Sequence, residues 1–107
     1  MPSINNPEPE AFDLPEWGDF KLAMLSDTAY QRVSSQTSEQ RSVSRTEMLF
    51  TSENENWPLA ALLWGQMIGG CPEDLRPTAE ESARWTQIAA STNMPIKFID
   101  TGQLMPL

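Results

Sequence analysis

Residues 56–71, NWPLAALLWGQMIGGC, are the most apolar stretch of the chain and decide its fold. Asn56 is a favoured helix N-cap, because its side-chain oxygen can accept hydrogen bonds from the free N–H groups of the first turn. Gly69 and Gly70 are expected to end the helix in the left-handed conformation, which glycine adopts without steric cost. The stretch therefore predicts a helix over residues 57–69.

Apolar side chains lie on nearly every side of this predicted helix, and only Gly65 and Gln66 interrupt them. A helix of this kind is normally buried between other elements. It is too short to cross a bilayer, which takes about 20 residues. We therefore predict a central core helix with four deeply buried side chains: Leu62, Leu63, Trp64 and Met67.

The flanking segments carry helix signals of their own. Thr78 and Glu81 match a capping box, which is the strongest helix start in the chain. Residues 34–46 are polar enough to be a linker, but a second capping box at Thr37–Gln40 favours a helix there. The predicted fold is mainly α, a compact bundle of about four helices. They span residues 16–25, 28–51 (continuous, or broken near residue 36), 57–69 and 78–92.

The two ends of the chain are predicted to be extended. Residues 1–15 contain four prolines and no basic residue, which favours an extended acidic arm. Residues 96–105 favour a short strand or hairpin. An isolated hairpin is barely stable in water, so it must pack on the helices or pair with the arm or a second chain. Residues 16–107 then form a single helical domain.

The composition narrows the class of function. The chain has 107 residues, of which 15 are acidic and 7 basic, a net charge of −8 and no histidine. Direct nucleic-acid binding is not expected, because it relies on Lys and Arg to neutralise phosphates. The single Cys71 fits a cytoplasmic, reducing setting better than a secreted one. We expect neither a signal peptide nor membrane association.

No stretch of the sequence carries a catalytic, cofactor-binding or metal-binding motif. Neighbouring carboxylates occur at Glu73–Asp74 and Glu80–Glu81, but helix starts and loops explain them. Cys71 would need a base to act as a nucleophile, and the chain has no histidine. We therefore predict no catalytic residue, no cofactor, no metal site and no enzymatic activity.

Candidate partner-binding residues lie in the arm, in the polar helix and in the tail. Acidic and bulky apolar side chains alternate near the N-terminus, as in linear motifs that bind a partner's groove. Alternatively, this arm covers its own domain. Arg41 and Arg45 share a helix face, which is either solvated or a docking site for an acidic partner, such as the arm of a second copy. The candidates are Phe12, Leu14, Trp17, Arg41, Arg45 and Phe98.

The function predicted from sequence is that of a small non-enzymatic interaction protein, either accessory or adaptor. Tryptophan, methionine and arginine are favoured at interfaces, and the chain has four tryptophans and six methionines. The alternative is an acidic inhibitor or nucleic-acid mimic encoded by a phage or mobile element. A homodimer through the C-terminal strand or the N-terminal arm is also predicted, because both are natural edges.

Overall fold

Five α-helices and a β-hairpin make up residues 14–107, the part of the chain that the computed structural model describes. The helices are α1 (Trp17–Leu25), α2 (Thr28–Gln36), α3 (Gln40–Thr51), α4 (Trp57–Gly69) and α5 (Ala79–Ser91). A short 3-10 helix (Glu73–Leu75) connects α4 to α5, and strands β1 (Ile96–Phe98) and β2 (Leu104–Pro106) follow. The mainly α fold with a C-terminal hairpin is confirmed. The arm predicted over residues 1–15 lies outside the described residues, except for its last two.

Three of these helices begin at a side chain that caps their first turn. Asp27 caps α2 and Asn56 caps α4, each by accepting a hydrogen bond from the backbone N–H three residues on. At α5, Thr78 accepts from the Glu81 backbone and Glu81 from the Thr78 backbone. The N-caps predicted at Asn56 and Thr78 are therefore confirmed, and each satisfies backbone donors that the helix leaves free.

The α2 and α3 helices are separate, which confirms the break allowed near residue 36. The predicted capping box at Thr37–Gln40 does not form. The Thr37 hydroxyl accepts from the backbone of Glu39 at 3.1 Å, and the Gln40 side chain donates to the Thr37 carbonyl oxygen at 2.8 Å. These contacts fold the chain into a tight corner between the two helices, so the third helix begins at Gln40.

Gly70 brings this corner against the end of α4. The backbone N–H of Ser38 donates to the Gly70 carbonyl oxygen at 3.0 Å, and a Cβ atom on Gly70 would lie 2.6 Å from the Thr37 hydroxyl oxygen. Gly70 itself has a right-handed backbone, with φ at −81°. The prediction that the glycine pair ends the helix in the left-handed conformation is therefore wrong. Gly70 is needed for close approach instead.

Trp64 lies at the centre of the core, with no exposed surface. Its indole ring is surrounded by aromatic rings from other elements, with centroids 5.2–6.3 Å away. They belong to Tyr30, Phe50, Trp85 and Phe98. Offset and edge-to-face contacts of this kind each contribute about 0.5–1.5 kcal/mol beyond area burial. The most apolar stretch of the sequence therefore organises the fold, as predicted.

The hairpin packs on α4 and α5 through hydrogen bonds as well as apolar contacts. The indole N–H of Trp64 donates to the Gly102 carbonyl oxygen at 2.7 Å, and the Gln103 amide donates to the Ala61 carbonyl oxygen at 2.8 Å. On the other strand, the Thr86 hydroxyl accepts from the Phe98 N–H and donates to the Phe98 carbonyl oxygen. The hairpin therefore docks on its own helices, which is one of the arrangements predicted for it.

One of the four predicted core side chains is exposed. Leu63, Trp64 and Met67 are buried, but 58% of Leu62 is accessible to solvent. The α4 helix packs against α3 on one side and β2 on another, and no element among residues 14–107 covers the side that carries Leu62. Apolar residues on all sides of α4 led to the wrong prediction, because an all-round apolar pattern does not say which side stays open.

Candidate functional site

A groove of about 430 Å³ runs between α3 and α4 on the surface of the molecule. The Ser42 hydroxyl donates to the Gln66 side chain at 2.7 Å, near one end of the groove. The two helices run antiparallel there, so Leu59 lies at the opposite end. The groove lining is mostly apolar and consists of Arg45, Met48, Leu49, Ser52, Leu59 and Leu63. We define these six residues as the α3–α4 groove.

Met48 forms the rim of the α3–α4 groove, and 70% of its surface is accessible to solvent. On its other side lies a second depression, between α1 and α3, which is lined by Lys21, Glu47 and Thr51 among others. Leu59 and Leu62 add exposed apolar surface on α4. A thioether between two depressions is an adaptable contact, because methionine is flexible and polarizable. This surface is therefore suited to contact with an apolar side chain.

Positive charge lies beside the α3–α4 groove. Arg41 and Arg45 are exposed on α3, and within residues 14–107 neither makes an ion pair with a carboxylate. By contrast, Arg32 and Arg84 are held by Glu81 and Asp27 at 2.6 and 2.8 Å. In a chain of net charge −8, two arginines beside an apolar groove, with no carboxylate partner in the described part of the chain, favour an acidic ligand.

The two ion pairs have a structural role, because they tie α2 to α5. Burial raises the pKa of the Asp27 carboxyl, but hydrogen bonds from Arg84, from the Trp85 indole and from the Tyr30 backbone together lower that pKa below its ordinary value. Hydrogen bonding from Arg32 likewise lowers the pKa of Glu81, against a smaller opposing effect of burial. Both carboxylates are therefore ionised and fully engaged at neutral pH.

The structure places the sequence-predicted site residues in three different environments. Arg41 and Arg45 are exposed, and Arg45 lines the α3–α4 groove. Leu14 is 78% exposed, whereas Trp17 and Phe98 are buried. Trp17 stacks on Trp57 with the ring centroids 5.2 Å apart.

The buried side chains of Trp17 and Phe98 are therefore not accessible to a partner in this fold. Phe12 lies outside the described residues. A partner-binding role remains a prediction for Leu14, Arg41 and Arg45, of which the structure brings only the two arginines together.

Sequence reasoning missed the apolar half of this surface. In the sequence, Met48 widens the helix face formed by Val43 and Phe50, which predicts a core-facing side chain, but Met48 is exposed. The spacing of the arginines contains a signal for this exposure. Arg41, Arg45 and Met48 follow one another at intervals of four and three residues, which places them on one helix stripe. A stripe with two arginines and a methionine is therefore a surface stripe, not a core stripe.

Among residues 14–107, the metal-ligating side chains form no cluster and the Cys71 thiol is buried. No three Cys, Asp or Glu side chains between residues 14 and 107 are close enough to hold a metal ion. Burial raises the pKa of the Cys71 thiol, although Arg32 and Arg76 act in the opposite direction. A buried thiol with a raised pKa is a poor nucleophile. No helix between residues 14 and 107 is both long enough and apolar enough to span a bilayer.

Comparison with known proteins identifies no relative of this chain. No protein-family model, curated protein or solved structure matches the chain.

Proposed function

We propose that this protein is a small non-enzymatic interaction protein, an accessory or adaptor subunit, that binds an acidic and apolar segment of a protein partner in the α3–α4 groove. The observation that carries the proposal is the exposed apolar surface of Met48 and Leu59, bordered by Arg45, which has no carboxylate partner among residues 14–107. Recognition of an amphipathic helix by a groove between two helices is a common mode of peptide binding.

The dimensions of the groove suit a short helix. On α3 the groove lining runs from Arg45 to Ser52, which is about 10 Å at the usual rise per residue. A bound helix of similar length offers about two turns, with apolar side chains at intervals of three and four residues. Met48, Leu59 and Leu63 would accept those side chains, and Arg41 and Arg45 would pair with carboxylates along one edge of the ligand.

A cytoplasmic setting and a homodimer remain part of the proposal. The lone, buried Cys71 is compatible with a reducing compartment. For the homodimer, pairing through the hairpin is the less favoured route. Thr86 engages the free edge of β1 at Phe98, and the Gln103 amide donates to the Leu104 carbonyl oxygen of β2. Pro106 in β2 has no N–H group to donate. Backbone groups that are already hydrogen-bonded are poor partners for a second strand.

A defined peptide panel tests the proposed function. The ligands are a synthetic amphipathic helix of about 14 residues with a Glu-rich polar face, its Lys-rich counterpart and a scrambled acidic version. Binding to the full chain is followed by amide chemical shifts in NMR. We expect saturable shifts at Arg45, Met48 and Leu59 with the acidic helix alone. Shifts scattered over the surface, or equal binding of the Lys-rich peptide, would contradict the proposal.

Two substitutions of exposed apolar residues sharpen this experiment. Met48→Glu places a negative charge in the groove and is expected to weaken binding of the acidic helix about tenfold, which corresponds to about 1.4 kcal/mol. Leu22→Glu is the matched control, because Leu22 is 66% exposed on α1 and does not line the groove. Thermal unfolding verifies that both variants are folded. Equal weakening by both substitutions would exclude the groove as the site.

The alternative function, an acidic inhibitor or nucleic-acid mimic, has weaker support. A mimic needs carboxylates in a dense array on one face. Among residues 14–107, the nine exposed acidic residues are distributed over helices, turns and the hairpin. A basic nucleic-acid-binding protein that binds the chain, and loses this binding on Glu73→Lys and Asp74→Lys substitution but not on Met48→Glu, would favour the mimic over the adaptor.

A further inference from the structure

The start of α1 fixes the place where the preceding segment enters the folded domain. The backbone N–H of Glu16 donates to the Thr92 carbonyl oxygen at 2.8 Å. The next residue, Trp17, stacks on Trp57 with the two rings nearly parallel, at an angle of 4°. The chain therefore enters the domain beside Thr92 and the stacked rings of Trp17 and Trp57, which we define as the tether point.

The tether is long enough to reach every part of the α3–α4 groove. From Trp57 to Leu63 the α4 helix rises by about 9 Å. Thirteen extended residues span up to roughly 43 Å. The reach of residues 1–13 therefore exceeds the length of the groove several-fold.

The composition of the tethered segment complements the groove. Residues 8–13, EPEAFD, contain three carboxylates, no basic residue and one large apolar side chain, Phe12. The groove offers the exposed Met48 and Arg45, and Arg41 lies one turn before Arg45 on α3; among the described residues neither arginine has a carboxylate partner.

We propose that residues 8–13 of the chain occupy its own α3–α4 groove as an internal ligand, with Phe12 against Met48 and Leu59 and with Glu8 and Glu10 facing Arg41 and Arg45. The inference rests on the proposed function, because it makes the acidic partner a competitor of this internal segment. A partner then has to displace the internal segment, so only a partner that binds more tightly or is more concentrated occupies the groove.

Paired cysteines measure whether the segment is in the groove. In the full chain, Ala11→Cys is combined with Ser52→Cys, which lines the groove and leaves every proposed charge in place. The control combines Ala11→Cys with Ser91→Cys. Ser91 is exposed and adjoins Thr92, which bonds to Glu16 at the tether point. The native Cys71 is buried and remains. Disulfide formation in a glutathione buffer is followed by mass spectrometry with peptide mapping.

If residues 8–13 dock in the groove, the two disulfides should form at different rates. The disulfide between residues 11 and 52 should form within one chain and on the order of tenfold faster than that between residues 11 and 91, because docking raises the effective concentration of the two thiols. Arg41→Glu with Arg45→Glu should abolish this preference, and adding Glu8→Lys with Glu10→Lys should restore it. A faster reaction at residue 91, a preference insensitive to these charges, or disulfides formed between two chains would each overturn the proposal.

The peptide panel separates this inference from the proposed function. If residues 8–13 dock, Glu8→Lys with Glu10→Lys should increase the affinity of the chain for the acidic helix several-fold, because the internal competitor is removed. If the acidic helix binds equally well with and without these substitutions, the internal ligand is refuted and the proposed function stands. If the acidic helix binds neither protein, both proposals fail.

Discussion

Leu62 and Leu63 are adjacent in the sequence but differ in their exposure to solvent. Leu63 is 5% exposed and Leu62 is 58% exposed. A large-to-small substitution in a core costs the transfer free energy of the lost atoms and the cavity left behind. The same substitution at an exposed helix position costs little, because alanine has the higher helix propensity.

Leu63→Ala is therefore expected to lower the free energy of unfolding by about 2–5 kcal/mol. Leu62→Ala is the matched control, with an expected change within about 0.5 kcal/mol. Urea unfolding monitored by tryptophan fluorescence measures both. Equal losses in the two variants would mean that the side of α4 that carries Leu62 is covered in solution.

Gly102 has the only left-handed backbone among the glycines of residues 14–107, with φ at +87°. A Cβ atom there would lie 2.5 Å from the Pro77 ring. Gly69 is the natural comparison, because it lies in α4 with open space where its Cβ would be.

We expect Gly102→Ala to lower the free energy of unfolding by about 2 kcal/mol or more, through backbone strain and steric overlap. Gly69→Ala is expected to raise it by about 0.4–1 kcal/mol, since alanine restricts the unfolded chain and favours the helix. Thermal and urea unfolding of the two variants check the opposite signs. A neutral Gly102→Ala variant would show that the turn rearranges freely.

At the level of elements, the helix starts were predicted from sequence and the open surface was not. Asn56, Thr78 and Glu81 are local signals, because a cap bonds to backbone groups within three residues. The role of Gly70 depends on Thr37, which is 33 positions earlier in the sequence, and no local pattern shows that contact. The exposure of Met48 depends likewise on where α1 and α4 pack. Arg45 is exposed on a polar helix face, but half of its apolar neighbours in the groove, Leu59 and Leu63, come from another helix.

The Thr86 hydroxyl joins α5 to the edge of β1, because it acts as both a donor and an acceptor. It accepts from the Phe98 N–H at 2.8 Å and donates to the Phe98 carbonyl oxygen at 3.1 Å. Thr86→Val keeps the shape of the side chain and removes both hydrogen bonds. Two backbone groups of a strand edge then lose their partner, at a cost of about 1–3 kcal/mol.

Thr86→Val is expected to lower the free energy of unfolding by about 1–3 kcal/mol and to increase hydrogen exchange of the Phe98 amide. Thr101→Val, in the exposed hairpin turn, is the control and should leave Phe98 exchange unchanged. NMR-detected hydrogen exchange makes the comparison. Unchanged protection of Phe98 in the Thr86→Val variant would show that the hydroxyl does not hold the strand.

For the whole molecule, the ion pairs between α2 and α5 make stability depend on pH. The pKa values of Asp27 and Glu81 are lower in the folded chain than their ordinary values near 4. A carboxyl group with a lowered pKa stabilises the fold fully above its unfolded pKa. This stabilisation is lost as the pH falls through the folded pKa.

We therefore expect the free energy of unfolding to be nearly constant from pH 7 to about pH 5 and to fall below about pH 4. Asp27→Asn and Glu81→Gln should each lower stability at pH 7 and flatten the decline at acid pH. Asp19→Asn, which removes an exposed carboxylate of α1, controls for the change in net charge. Urea unfolding between pH 2 and pH 7 provides the measurement. Parallel curves for Asp27→Asn and the unsubstituted chain would refute this account.

The hydrogen bond from Trp64 to Gly102 also has a consequence during protein synthesis. The two residues are 38 positions apart, and the rings of Trp85 and Phe98 that surround Trp64 also follow it in the sequence. A nascent chain that has left the ribosome only as far as α4 has its most apolar helix without the partners that bury it. Domains fold as units, so the core can close only after the hairpin has emerged. Until then, the apolar helix at residues 57–69 is the segment most exposed to chaperones and to aggregation.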